Sequence, residues 1–104
     1  MTATEKRLKL QTMLEEILGS RNVYFQPPEN IKMKYPAIRY DISNINNDFA
    51  DDTVYKQTRY YEIIVIDRDP DSEIVDKISK LPTCRYGTRY RSDGLNHTTF
   101  TIKY

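Results

Sequence analysis

Residues 60–66, Tyr-Tyr-Glu-Ile-Ile-Val-Ile, constrain this chain more than any other stretch. Successive side chains of a strand point to opposite faces. A strand with apolar residues at consecutive positions is therefore apolar on both faces, and both faces want cover. The run is the second half of a longer predicted strand over 53–67, whose first half alternates charged and polar residues with Tyr. Two helices are predicted to supply cover. The first spans 4–18, with Thr4 as its cap and Leu10, Met13, Leu14, Ile17 and Leu18 at helical spacing. Gly19 ends it, because Gly accepts the left-handed conformation common just past a helix. The second spans 72–80 behind Asp69-Pro70-Asp71, with Ile74, Val75, Ile78 and Leu81 as its apolar stripe and Pro82 as its stop. Helices of these lengths reach only about 22 and 14 Å. They can cover one face of a four- or five-stranded sheet and not both. Part of the second face is thus expected to meet another subunit; the alternative is that loops of the same chain fold over it.

The other elements follow from alternation and punctuation. A short strand is predicted over 22–26, ended by Pro27 and Pro28, which cannot donate to a ladder. Residues 27–35 read as an extended surface loop. From Pro36 a second strand sets Ile38, Tyr40 and Ile42 against Ala37, Arg39, Asp41 and Ser43. Residues 46–52 read as a polar, acidic loop around Phe49. Strands over 83–91 and 96–104 are joined by Asp93-Gly94, a strong hairpin signal. The expected fold is α+β, one domain over residues 1–104, in the order α-β-β-β-α-β-β. It has a mostly antiparallel four- to five-stranded sheet with two helices on one face.

Composition narrows the function. At 104 residues the chain can bury a core without staples. Its net charge of +1 argues against a dedicated nucleic-acid binder, whose affinity draws on a clear basic excess. A single cysteine, Cys84, allows no intrachain disulfide and reads as a buried or half-buried thiol. No apolar run is long enough to span a bilayer, and the first ten residues lack the apolar core of a signal peptide. Nine tyrosines stand out, since Tyr is enriched both in half-buried strands and at protein interfaces.

Candidate chemistry is sparse. Asp67, Asp69 and Asp71 have the spacing that opens a calcium loop, but the sixth and twelfth positions hold Ser72 and Ile78 where Gly and Glu are needed. Asp48, Asp51 and Asp52 with Asn46 and Asn47 read as a solvated loop before a metal site. His97 is the only histidine and sits in a Thr-rich strand without a nucleophile motif. No glycine-rich phosphate loop is present. No catalytic residue, metal or cofactor is expected. The stretch Arg85-Tyr86-Gly87-Thr88-Arg89-Tyr90-Arg91 mixes cations and aromatics, which suits single-stranded nucleic acid or a protein interface. Arg89 and Arg91 are expected on the face opposite Tyr86 and Tyr90.

Four stretches together resemble a known family. They are the helix ending at Leu18-Gly19; Asn22-Val23-Tyr24-Phe25-Gln26-Pro27-Pro28 followed by Met33-Lys34-Tyr35-Pro36-Ala37-Ile38; Tyr61-Glu62-Ile63-Ile64-Val65-Ile66-Asp67-Arg68-Asp69-Pro70-Asp71-Ser72; and Leu95-Asn96-His97-Thr98-Thr99-Phe100-Thr101-Ile102. The pattern resembles the small tail-completion proteins of long-tailed bacteriophages, the tail terminators or minor capsid proteins. The resemblance implies a non-enzymatic α+β subunit that needs no cofactor. It implies a homo-oligomeric ring, typically a hexamer, at the head-proximal end of the tail. Such a ring stops the tail tube and joins it to the head connector. The expected partners are further copies of the chain, the tail tube protein and head connector proteins, with no membrane and no specific nucleic acid. The expected location is the virion, and the host cytoplasm during assembly. Another connector component (stopper or adaptor) and an RNA-binding α+β module are the alternatives. Expected interface residues are Tyr24, Phe25, Pro27, Pro28, Tyr35, Phe49, Tyr61, Ile63, Val65, Tyr86, Arg89 and Tyr90. The loops over 27–35 and 46–52 are the expected docking surfaces.

Overall fold

A computed structural model describes residues 2–28 and 31–104. The elements run α1 (Ala3–Leu18), β1 (Val23–Phe25), β2 (Ala37–Ala50), β3 (Thr53–Asp67), α2 (Glu73–Ser79), β4 (Arg85–Ser92) and β5 (Leu95–Lys103). This is the expected α-β-β-β-α-β-β order. The sheet has five strands in the order β1-β2-β3-β5-β4. It is mixed, because β1 lies parallel to β2 while the other pairs are antiparallel.

The N-terminal cap differs from expectation. Thr2, not Thr4, caps α1: its Oγ1 accepts the Glu5 N–H at 3.1 Å. Thr2 and Glu5 have the Thr-x-x-Glu spacing of a capping box, and the bond from Glu5 N–H to Thr2 satisfies one orphan donor of the first turn. Gly19 ends the helix at φ +79°, and its N–H donates to the Glu15 carbonyl at 2.8 Å.

Both helices cover one face of the sheet. Leu10 and Leu14 of α1 and Ile78 of α2 share a buried cluster with Ile38, Tyr40, Tyr61, Ile63, Val65, Phe100 and Ile102. Ile63 lies between Tyr40 of β2 and Phe100 of β5 in the ladder and is wholly buried. A polar thread pins α1 to the sheet. The Tyr40 hydroxyl donates to Gln11 Oε1 and accepts from Arg7 Nη1 at 3.2 Å. Gln11 Nε2 donates to the Val23 carbonyl at 3.0 Å, and the Arg7 guanidinium lies 4.4 Å from the Phe25 ring centroid. Burial pushes the Tyr40 hydroxyl pKa up from its ordinary value, a rise that the Arg7 contact partly offsets.

The second face is covered differently at its two ends. Ile66 is buried and Ile64 half-buried. They border a cleft of about 350 Å³ with Pro28, Ile31, Met33 and Tyr35 on one side and Tyr90 and His97 on the other. The Lys34 N–H donates to the Tyr24 hydroxyl at 3.4 Å, which ties this segment to β1. Residues of the same chain thus flank Ile64 and Ile66, which is the loop cover weighed as the alternative to a second subunit, and the cleft between them leaves Ile64 half-buried. The cover arises because residues 31–35 run back beside β1 and bring three apolar side chains with them. Glu62, on the same face nearer the arm, stays exposed.

The larger correction concerns residues 46–52. They are not a loop. Residues 46–50 continue β2, which pairs with β3 through to Ala50↔Thr53. Only Asp51 and Asp52 turn the chain, with φ of +52° and +62°. Two consecutive positive φ values at the centre of a two-residue hairpin match the right-handed twist of the flanking strands. Asp93 and Gly94 do the same between β4 and β5, as expected, at φ +54° and +75°.

A bulge resets the parity of β4. Tyr86 pairs with Phe100 and Arg89 with Thr98, so three steps on β4 oppose two on β5. Tyr86 and Arg89 therefore share the helix-covered face, and Arg85 and Tyr90 share the other. The expected separation of arginines from tyrosines does not hold. The Thr99 hydroxyl fills the bulge: Oγ1 accepts the Thr88 N–H at 2.8 Å and donates to the Thr88 carbonyl at 3.2 Å. A Cβ at Gly87 would come within 2.6 Å of that oxygen. Gly87→Ala is expected to cost about 1–2 kcal/mol by overpacking. In Thr99→Ala, whose hydroxyl is absent, the same change should cost measurably less, and thermal melts of the two singles and the double check it.

Candidate interaction site: the hairpin arm and the arginine edge

Beyond the sheet's other strands, β2 and β3 continue alone as a two-stranded arm. β5 pairs with β3 only from Tyr60 onward, and β1 pairs with β2 only from Ile38 to Tyr40. Every residue from Ser43 to Gln57 is exposed. Eight residues of strand extend about 27 Å, and the arm accounts for the molecule's 52 Å length against 24 and 23 Å in the other directions.

Register and cross-strand bonds assign the arm's faces. Gln57 Nε2 donates to Asn47 Oδ1 at 2.9 Å, and Arg59 Nε donates to Gln57 Oε1 at 3.0 Å, so these three share a face with Ile45, the partner of Arg59. Asn44 Nδ2 donates to Asn46 Oδ1 at 3.2 Å on the opposite face. A register shift lies between Asp48 and Phe49, and Phe49 then opposes Val54 beside the turn. Phe49 is 64% exposed and Tyr55 72%. Large apolar side chains this far out on a bare ribbon belong to no buried cluster of their own chain. Three carboxylates, Asp48, Asp51 and Asp52, lie near them along the chain, and the nearest cation in sequence, Lys56, opposes Asp48 in the ladder.

The sheet's far edge has the opposite character. β4 is exposed along its length and carries Arg85, Arg89 and Arg91 without an acidic residue. An edge strand presents unpaired backbone donors and acceptors to any strand that approaches. Tyr86 stands 63% exposed, its ring edge-on to Phe100 at 6.2 Å. Next to it a groove of about 720 Å³ is lined by Tyr60, Thr83, Arg85, Tyr86, Thr101 and Lys103.

The expected interface residues are dispersed by this geometry. Tyr61, Ile63 and Val65 face the helices and are buried, so they serve the core and not a surface; strand parity puts their neighbours on the other face. Phe25 is half-buried against Tyr40 and Arg7. Tyr24 and Pro27 are half-buried, and Pro28 and Tyr35 are exposed beside the cleft over Ile64 and Ile66. Of the loop expected over 27–35, residues 29 and 30 lie outside the described residues. Arg89 Nη2 donates to the Pro70 carbonyl at 2.8 Å, which commits it to its own chain. Tyr90 stacks on His97 at 4.8 Å and 12°. Phe49 and Tyr86 remain as free apolar surface, on the arm and on the edge. Ile45, Val54, Tyr55, Tyr60, Arg85 and Lys103 line the same two regions, and none was among the expected interface residues. Alternation of Tyr with charge over 53–60 was the available signal.

The residues weighed for chemistry serve local structure. Asp67 Oδ1 accepts the Asp69 N–H at 3.1 Å, and Asp69 Oδ1 accepts the Asp71 N–H at 2.9 Å. These carboxylates shape the approach to α2 through side-chain turns. Among the described residues no three His, Cys, Asp or Glu side chains are grouped to hold a metal ion. His97 Nδ1 lies 3.2 Å from the Leu95 carbonyl. Burial pushes the Cys84 thiol up from its ordinary pKa, which lowers the thiolate fraction a nucleophile needs. No helix among the described residues is long and apolar enough to cross a membrane.

A scan against protein-family models gives no match, and neither does a search of curated proteins.

Proposed function

We propose that this protein is a self-assembling structural subunit whose copies form a ring that terminates a phage tail tube and joins it to the head connector. The observation that carries the self-assembly is the arm. It is a ribbon of paired strands, exposed on every residue from Ser43 to Gln57, with aromatic side chains at its end. Exposed apolar patches on soluble domains mark interaction sites, and a projecting ribbon delivers one beyond the domain's own radius. The tail-terminator assignment rests on the four resembling sequence stretches. The arm fits it, because a ring subunit needs an element that reaches a neighbour.

The ring, its hexameric count, and its contacts with tube and connector proteins belong to this reading, as does its place in the virion. No catalytic step and no cofactor enter it. Deleting the gene in the parent phage tests it. Electron microscopy of lysates should show filled heads apart from tails, with tail tubes of irregular length. Normal virions at wild-type yield would contradict the proposal.

A further inference from the structure

We infer that the acidic, aromatic tip of one copy's arm docks into the basic groove beside β4 of a second copy. This rests on the self-assembly reading above and names the two surfaces that meet.

The two surfaces are complementary in charge, in chemistry and in placement. The tip offers Asp48, Asp51 and Asp52 against one neighbouring cation, Lys56, which opposes Asp48 in the ladder. The groove offers Arg85 and Lys103 and no carboxylate among its lining residues. Glu62 opposes Thr101 on the same face but does not line the groove. The tip brings Phe49 and Tyr55, and the groove is lined by Tyr60 and by Tyr86, whose exposed ring packs edge-on to Phe100 at its rim. Aromatic residues and arginine are the side chains that most often dominate interface energetics. The backbone fits too. The arm is a ribbon with two free edges, and β4 is a sheet edge with one. The opposite edge strand, β1, is only three residues long.

The arm leaves the sheet from the β2–β3 end, and Arg85 and Lys103 lie on the sheet face away from the helices, with Tyr86 beside them at the same edge on the helix-covered face. A chain that presents a plug on one surface and a socket on another makes a heterologous contact. Such contacts propagate from copy to copy and close into rings when the rotation permits. Each copy then gives one arm and receives one.

Mixing full-length variants tests the assignment. One variant carries Asp48→Lys and Phe49→Ser in the arm. The other carries Arg85→Glu and Lys103→Glu in the groove. All four side chains are exposed, and circular dichroism verifies that both variants fold. Each alone should need about 30-fold or more protein to assemble than the wild type, the loss expected when a hot-spot contact is removed. Mixed one to one, they should form a heterodimer and stop, because one intact arm meets one intact groove. Zero-length carbodiimide cross-linking of mixed light and heavy isotope-labelled wild type gives a second readout that needs no variant. It should join a tip carboxylate of one copy to Lys103 of another.

Variants that assemble as the wild type does would overturn the docking and leave the ring standing. So would an assembled wild type without that cross-link. A wild type that stays monomeric at every concentration would overturn both readings. If the groove variant assembles normally but loses salt-sensitive binding to a single-stranded oligonucleotide, the basic edge serves nucleic acid and the docking is wrong.

Discussion

Replacing residues 47–57 by a two-residue Asn-Gly turn should leave the domain folded and abolish assembly. The substitution reconnects Asn46 to Thr58, its partner in the ladder. The removed residues are all exposed, and none belongs to the buried cluster. Surface changes away from cavities, caps and buried pairs usually move stability by no more than about 0.5 kcal/mol. The unfolding midpoint should therefore change by only a few degrees. Asn-Gly also suits two consecutive positive φ values better than Asp-Asp does, which favours the shortened hairpin. Light scattering coupled to size exclusion should show a monomer at concentrations where the full chain is assembled. Intact stability with lost assembly separates an interaction element from a structural one. Unfolding of the shortened chain would show that the arm supports the core, against its exposure.

Ile63→Ala should do the reverse. Ile63 is fully buried between Tyr40 and Phe100 in the ladder, with the helices packed on its face. Truncating such a side chain loses its transfer free energy and leaves a cavity, about 3 kcal/mol together. For a domain of this size that lowers the melting temperature by roughly 15 °C. Its opposite-facing neighbour Ile64 is half-buried beside Tyr35 and Met33, so Ile64→Ala should cost clearly less. Equal losses at 63 and 64 would mean that the second face is as well covered as the first. Thermal or urea unfolding of the two variants decides it.

These two experiments sit on either side of what the sequence made legible. Apolar periodicity marked the helices, the central strand and the two faces of β2, because each of those elements has a buried face. Asp93-Gly94 announced its hairpin through residues that tolerate positive φ. The arm was illegible for the complementary reason. A ribbon with both faces in water has no buried face, so residues 43–50 carry no two-residue apolar period. Its turn, Asp51-Asp52, lacks the glycine that usually marks one. Asn and Asp, abundant from 46 to 52, favour loops in general, and that preference outweighed pairing partners that lie far along the chain. The β4 bulge had a local signal in Gly87, since an isolated glycine in a strand marks a bulge or a close approach. Reading it would have put Tyr86 and Tyr90 on opposite faces. The intramolecular cover over Ile64 and Ile66 depends on how residues 31–35 fold back, which apolar counting along β3 does not reveal.

The burden of the missing cover has moved as a result. The helices bury one face of the central strand, and the 31–35 segment flanks the Ile64–Ile66 end of the other. What remains open is the arm and the edge. The proposed self-association therefore rests on Phe49 and Tyr55 of the arm meeting the edge at Arg85, Tyr86 and Lys103.

Native mass spectrometry of the full chain across a concentration series tests the central claim most directly. The account predicts one closed oligomer of the 12.4 kDa subunit, six copies by the resemblance, that forms without a continuous ladder of larger species. A chain that remains monomeric at the highest concentration that can be sprayed would contradict it.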